Sequence, residues 1–594
     1  MKIDLDLMAR QFADVEFFLA CVFPDSAPEF KGQPASLAVS SAPEFWAVSS
    51  RAPASGRALV HEIGGAQLVF RGYEAELGVH SYSNDAALAR IAAPQALNNG
   101  AFSYVRFDAQ LGQAVVKSDA FGFGPLYYRQ QGGAWLFASH PVLLHCAGDQ
   151  PDLLSWISMM QSGYPMADRS FFRDIGRFPS GTQMTIRRGG HADTERWFDF
   201  AKLPPGEDKI DDAAFQHVED AYLAAMDRCL RLDVGEVTLP FSSGFDSRRF
   251  FGTFFRKKIP FKAVTCQTFH RKKGRDYDID SFFAPKIAAA FGVECELVRA
   301  VPPAELEADA ARRQALIGTE TFMHGWAMPF MRWLARRPPS LIFDGLAGDT
   351  FGNSGYEIDG LHETPEKDYE LVLKRTTRPF ALDQLSSLFP TVDTLRARYR
   401  GFLDQFAPTM NLAEMAFLQA RTRRCISPWI TMMHPPGHVV VFPYCDLEFA
   451  LATLQYHPAE KYKYFFQKEC LRRFYPEFYD FKGSRNLPPD HPPLDADVSL
   501  ANDRAEERYA YGDAGGVRAA LKYLSLPNRL LLLGSRLMPN LRRRRDWLFR
   551  PLLLLVRTLR EAPVFIDAGP REQYAQDSGK TDLTKLETEK RVTA

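Results

Sequence analysis

The stretch from Glu236 to Phe343 alternates short apolar runs with helix-like ones, and this restricts the architecture more than any other feature of the chain. "VTLPF", "FKAVTCQTF", "ECELVRA" and "SLIFDG" read as strands. Between them lie a helix starting near Ser247, the helix "DSFFAPKIAAAFG" and further helical sequence. Just ahead, "DDAAFQHVEDAYLAAMDRCLRL" places Phe215, Val218, Tyr222, Met226, Cys229 and Leu230 at spacings of three and four, an amphipathic helix. Strands alternating with helices imply a parallel sheet covered on both faces.

In such a sheet, ligands sit beyond the carboxyl ends of the strands, where small residues let backbone amides reach an anion at a helix start. Two strands here end that way. "LPFSSGFDSRRF" carries Ser242, Ser243 and Gly244 past the strand, then Asp246 and Ser247; "SLIFDGLAGDTFGN" runs into Asp344, Gly345 and Asp349. The first loop lacks the glycine-lysine ending of a Walker loop. Asp246 is a hard oxygen ligand suited to magnesium, and Ser247 can donate to phosphate. Two strand-end loops, each with a carboxylate, suit a triphosphate bridged by a divalent ion. Either loop alone could equally be a turn with an aspartate helix cap.

The rest of the chain frames this segment. Residues 1 to about 200 are strand-rich: "GAQLVFRGYEAEL", "GAFSYVRFDAQLGQAVVKSDAFG", "PLYYRQQGGAWLFASH" and "GTQMTIRRGGHADTERWF" are β-branched or aromatic runs between glycine-bearing turns, with "QQGG" a hairpin signal. "AKLPPGEDKIDD" reads as a linker, residues from about 355 to 565 as mostly helical, and "GPREQYAQDSGKTDLTKLETEKRVTA" as a disordered polar tail. The 72 basic residues balance 72 acidic ones, so no overall field favours nucleic acid as a partner. Eight scattered cysteines without a CxxC pair read as reduced thiols in a cytoplasmic protein. "MKIDLDLMARQF" has no signal-peptide pattern, and no apolar run is long enough to span a bilayer. "PNRLLLLGSRLMPNLRRRRDWLFRPLLLLVRTLR" reads as a helical hairpin packed on the body, with interfacial membrane contact the alternative.

"FSSGFDSR" resembles the S-G-G-x-D-S pyrophosphatase loop of the asparagine synthetase family, and "FDGLAGDTFGN" resembles its S-G-E-G-A-D-E motif. The resemblance covers roughly residues 60 to 485. "VKSDAFGFGPLYY" with "LFASH", and "FFRDIGRFPSGTQMTI" with "RWF", are similar to motifs of the family's glutaminase domain. "DIDSFFAPKIAAAFG", "VVVFPYCDLEFALATL" with Asp446, and "KECLRRFYPE" are similar to motifs of its synthetase domain. It implies an α+β Ntn-hydrolase-like sandwich followed by an α/β parallel-sheet ATP-pyrophosphatase domain with a helical C-terminal region. Family members adenylate a carboxylate with ATP, release pyrophosphate, and let an amine attack the acyl-adenylate. Carried over by position, Ser242, Ser243, Gly244, Asp246 and Ser247 would hold pyrophosphate, and Asp246 and Asp349 would hold Mg2+. Backbone around Leu239, Thr265 to Gln267 and Gly345 would receive the nucleotide. Lys482, in "FYDFKGSR", would be the catalytic lysine.

The chain also departs from the family. Met1 is followed by Lys2 rather than the nucleophilic cysteine, and the first cysteine, Cys21, lies in an apolar segment read as helical or buried. Arg71 in "FRGYEAEL" stands where the family has an oxyanion-stabilising asparagine. Leu346 replaces a glutamate, Thr350 follows Asp349 in place of another, and Arg248 replaces a small residue. An apolar residue cannot act as a base toward an amine. β-Lactam synthetases and lasso-peptide cyclases are relatives that also lack the N-terminal cysteine. The expected organisation is a degenerate class II glutamine amidotransferase-like domain at 1–200, an ATP-pyrophosphatase domain at 210–500, a basic and apolar helical extension at 501–567 and a disordered tail at 568–594. The expected activity is an ATP-dependent ligase joining a small-molecule or peptide carboxylate to an amine or ammonia without using glutamine, with a homodimer as one possible assembly. Synthesis of asparagine from aspartate, and non-catalytic binding of a nucleotide or partner protein, are the alternatives.

Overall fold

The computed structural model describes residues 1–203, 209–268, 270–272, 275–302, 304–318, 327–353, 364–377, 379–406, 412–464, 466–481, 505, 507–535 and 539–567. Two antiparallel sheets form the N-terminal part. One runs in the order Gly176–Arg177, Tyr127–Gln131, Ala134–Ala138, Phe18–Val22, Phe45–Ser50, Leu37–Ala42. The other runs Ala192–Arg196, Thr182–Arg187, Gln113–Ser118, Gly100–Asp108, Ala66–Glu74, Val60–Ile63, with Val79–His80 also paired to Ala66–Glu74. The "QQGG" turn joins strands in which Gln131 pairs with Ala134, and Gly132 supplies the positive φ of +60°. The sheets share one core, in which the Phe45 and Phe107 rings stack 5.6 Å apart.

Strand periodicity decides which side chains enter that core. Along Ala66–Glu74, Leu68 and Phe70 face a small outer cluster with Leu88, Ile91 and Leu97, whereas Val69 and Tyr73 face the main core. Arg71 has the parity of Val69 and Tyr73, so its guanidinium is carried inward. Cys21 is buried as expected, but in the strand Phe18–Val22 rather than a helix. Burial without a cation beside it pushes its thiol far above the ordinary range.

A further sheet has five parallel strands in the order Cys295–Val298, Lys262–Cys266, Glu236–Pro240, Ser340–Phe343, Val439–Val441. Numbered along the chain this is 3-2-1-4-5, a doubly wound arrangement whose direction of winding reverses between the first and fourth strands. Helices Asp212–Leu230, Phe245–Lys257 and Asp280–Ala290 form where the apolar spacing places them. The fifth strand lies inside the stretch read as helical. Three valines are too short a run to display a period of two.

The C-terminal region is helical and packs on the rest of the chain. Helix Pro539–Glu561 packs on Leu153–Ser162 and buries Leu548, Phe549, Leu552, Leu553 and Leu555. Ile566 and Asp567 then pair antiparallel with Ile3 and Lys2, whose strand pairs in parallel with Glu29–Lys31. A π-helix, Phe417–Ile426, ties the same region to the N-terminal sheets. Its buried Arg423 donates to the carbonyls of Gly122 and Phe178 and reaches Asp168 at 2.6 Å. Among the described residues no helix is long and apolar enough to cross a membrane.

Candidate nucleotide site at the switch point

The strands Glu236–Pro240 and Ser340–Phe343 are direct neighbours, with Val237 paired to Leu341. Their carboxyl ends therefore open side by side at the winding reversal. The loop after the first strand passes through Ser242 and Ser243 to Gly244, the N-cap of Phe245–Lys257, and places Asp246 in the first helical turn. The loop after the second passes from Asp344 to a short helix that begins at Gly348 and holds Asp349 in its first turn.

The two loops press against each other. A Cβ at Gly348 would lie 2.7 Å from Asp246 Cγ, and one at Gly345 would lie 3.2 Å from Asp246 Cβ. Glycine is needed at 348 because any side chain would collide with the carboxylate. Ala347, between them, has φ +65°, a left-handed conformation that costs a non-glycine residue roughly 1 kcal/mol or more.

Three carboxylates converge here. Asp246 is pushed up to about 7, first by burial, then by the charge of Asp349 and more weakly by Asp344, against the opposing Gln467 and Arg249. Asp344, 8% exposed, is also pushed up to about 7 by burial, although one oxygen accepts from Leu346 N at 2.9 Å. Asp349 is exposed. Among the described residues no group of three or more His, Cys, Asp or Glu side chains is arranged to hold a metal by itself. Two mutually repelling acids do fit a magnesium ion that keeps water and phosphate oxygens as its remaining ligands.

The first loop is internally bonded. Ser247 Oγ lies 3.0 Å from Ser242 Oγ and accepts from Ser242 N at 3.2 Å, while Gly244 N donates to Ser242 Oγ at 3.1 Å. Ser243 donates through both its backbone N and its Oγ to Asp280 Oδ1 at 3.0 Å. Sequence reasoning missed Asp280, because an acid opening a later helix gives no sign of which loop it meets. Arg248 donates to Ser243 O through Nε and Nη2.

Of the remaining residues named from sequence, Leu239 is fully buried and pairs with Ala263, Thr265 lies buried in the neighbouring strand, and Gln267 N donates to Val298 O at 2.9 Å. Leu346 points into the core and its carbonyl accepts from Cys445 Sγ, while buried Thr350 lies 3.3 Å from Thr422 Oγ1. Asp446 stands apart from the site: it caps helix Leu447–Leu454 and pairs with Arg228 at 2.6 Å and Asn99 at 2.9 Å. Lys482 lies outside the described residues.

The N-terminal pocket has the opposite character. Arg71 Nε lies 2.8 Å from Glu16 Oε1, Arg71 also donates to Thr431 O, and His434 Nε2 sits 3.0 Å from the same Glu16 oxygen. Tyr82 donates its hydroxyl to Glu16. Burial alone would raise Glu16, but the charges of His434 and Arg71 prevail and hold it at about 2. The cavity beside Glu16, Arg71, Gly72, Ser81 and His434 is about 30 Å³, enough for a few waters at most. A larger cavity of about 560 Å³ lies between Asn98–Asn99 and helix Leu447–Leu454, and no residue of the strand-end loops lines it.

Comparison with known proteins bears on the N-terminal part. Residues 92–198 match the family described as a glutamine amidotransferase domain, so that region is of the glutamine amidotransferase type, a class associated with transfer of amide nitrogen. No curated protein matches the chain. Among solved structures, the chain is similar to the allosteric regulatory enzyme of purine biosynthesis, at 11% identity and a TM-score of 0.21, over 40% of this chain and 56% of that one. It is also similar to glutamine phosphoribosylpyrophosphate amidotransferase from B. subtilis complexed with ADP and GMP, at 12% identity and a TM-score of 0.22, over 58% of this chain and 73% of that one. The chain thus spans little more than half the length of the first, and likenesses this faint carry no argument about the site.

Proposed function

We propose that the protein is an ATP- and magnesium-dependent amide-forming ligase of the asparagine synthetase type. A carboxylate oxygen attacks the α-phosphorus of ATP and expels pyrophosphate; an amine or ammonia then attacks the acyl carbon, loses a proton and releases AMP. The observation that carries this reading is the meeting of two acidic strand-end loops at the winding reversal, with Asp349 close enough to raise Asp246. Crowded like charges are costly unless a cation joins them. Asp246 and Asp349 would hold the magnesium, which neutralises phosphate charge when bound. Ser242, Ser243, Gly244 and Ser247 would turn their donors from one another, and from Asp280, to the phosphates.

The nitrogen source is an external amine or ammonia. Arg71, at the expected oxyanion position, is held in an ion pair with Glu16, and the adjoining 30 Å³ cavity is too small for a glutamine side chain. Asparagine formation from aspartate remains the second reading, and Leu346 speaks against it because an apolar side chain cannot act as a base toward an incoming amine. The test is ATP–pyrophosphate exchange across a panel of carboxylates, with aspartate included. Asp246→Ala and Asp349→Ala should each lower exchange by at least about 100-fold, and full exchange in either variant rejects the metal assignment. Ammonia released from glutamine above background would show that the N-terminal domain is an active glutaminase.

A further inference from the structure

Arg248 is 2% exposed, and among the described residues its guanidinium is held by carbonyls rather than by an acid. Among the described residues, every hydrogen bond its guanidinium makes is to a backbone carbonyl. Nε and Nη2 grip Ser243 O at 3.0 and 2.6 Å, and Nη1 reaches the carbonyls of Phe478, Tyr479 and Phe481 at 3.4, 3.3 and 2.9 Å. The guanidinium also lies 5.1 Å from the centre of the Phe245 ring. A guanidinium buried this deeply is costly unless hydrogen bonds or an opposite charge compensate it.

The carbonyl it grips belongs to the Ser243–Gly244 peptide. In a trans peptide the C=O and N–H point opposite ways, so holding Ser243 O fixes the direction of Gly244 N–H, which now meets Ser242 Oγ at 3.1 Å. A two-pronged charged donor on the carbonyl also polarises the peptide and strengthens that N–H as a donor. A full positive charge thus stands directly behind the loop.

We infer that Arg248 is a positioning residue for anions at this loop, orienting the Gly244 amide and supplying a buried positive charge that the pyrophosphate portion of a nucleotide balances. This rests on the nucleotide reading above and goes further in naming the polyphosphate as what the chain discriminates. A screened charge several ångströms from the ligand attracts a polyanion far more than a ligand with one phosphate or none.

The experiment is calorimetric binding of inorganic pyrophosphate, ATP, AMP and adenosine, all with magnesium, to the full chain and to Arg248→Met and Arg248→Lys. Arg248→Met should weaken pyrophosphate and ATP by on the order of tenfold or more and adenosine by less than about twofold, whereas Arg248→Lys should retain most of the ATP-to-adenosine ratio. A purely structural role would weaken all four ligands alike. That outcome, or an unchanged ratio in Arg248→Met, overturns the inference and leaves the nucleotide reading standing. If the unaltered protein binds neither ATP nor pyrophosphate, both fall. Should Arg248→Met not fold, Arg248→Gln, which keeps two donors without the charge, reads the same ratio.

Discussion

Two of the buried charged regions, around Glu16 and around Asp246, are built on opposite terms. Around Glu16, every charge meets its opposite: Arg71 and His434 bracket one carboxylate, Tyr82 donates to it, and Glu16 settles near 2. Around Asp246, burial drives Asp246 and Asp344 to about 7, and the charge of Asp349 adds to the shift of Asp246. Matched charge in a closed space holds a scaffold together, here joining the N-terminal sheets to the segment Thr431–His434. Unmatched charge at the open end of a sheet is tolerated only where something arrives to relieve it, which is why strongly shifted carboxylates mark candidate sites. In this chain the region matching an amidotransferase domain borders the closed pocket, whereas the parallel sheet carries the unbalanced one.

The contrast can be broken most forcefully at Arg71. Arg71→Ala leaves Glu16 buried with only His434 opposite it and should cost about 3–5 kcal/mol in denaturant unfolding. A loss below about 1 kcal/mol would mean that the pair is not what fastens the two parts together.

Asp344→Asn tests the other side. Its pKa is raised on folding, so between roughly pH 4 and 7 the native chain holds a proton that the unfolded chain has lost, and stability falls as pH rises through that window. The substitution should remove the part of that slope due to Asp344, leave those due to Asp246 and Asp309, and stabilise the protein by roughly 1–3 kcal/mol at pH 8. Thermal midpoints recorded from pH 4 to 8 would give the answer, and parallel profiles for the two proteins would contradict it.

The smallest expected effect is at Ala347. Replacement by glycine relieves the +65° backbone and should stabilise by up to about 1 kcal/mol. A destabilisation of that size would place the strain elsewhere in the loop.

Much of this was legible in the residues themselves. The apolar runs ending in small residues and an acid located both loops, and the three-and-four spacing located Asp212–Leu230. What could not be read was pairing between distant segments. Nothing in "VVV" announces a fifth strand, and nothing in "DVEFF" says that Glu16 will meet an arginine on another sheet. Arg248 stood out only as an unusual residue after a loop. Its meaning depends on carbonyls more than two hundred residues later, brought close only by the packing of Pro476–Tyr479 against Phe245–Lys257.

The pairing of Lys2 and Ile3 with Asp567 and Ile566 governs when this protein can be finished. A ribosome delivers the second partner some five hundred and sixty residues after the first. Throughout that interval the early strand presents an unsatisfied edge, so this seam can close only after everything between its two strands has been made.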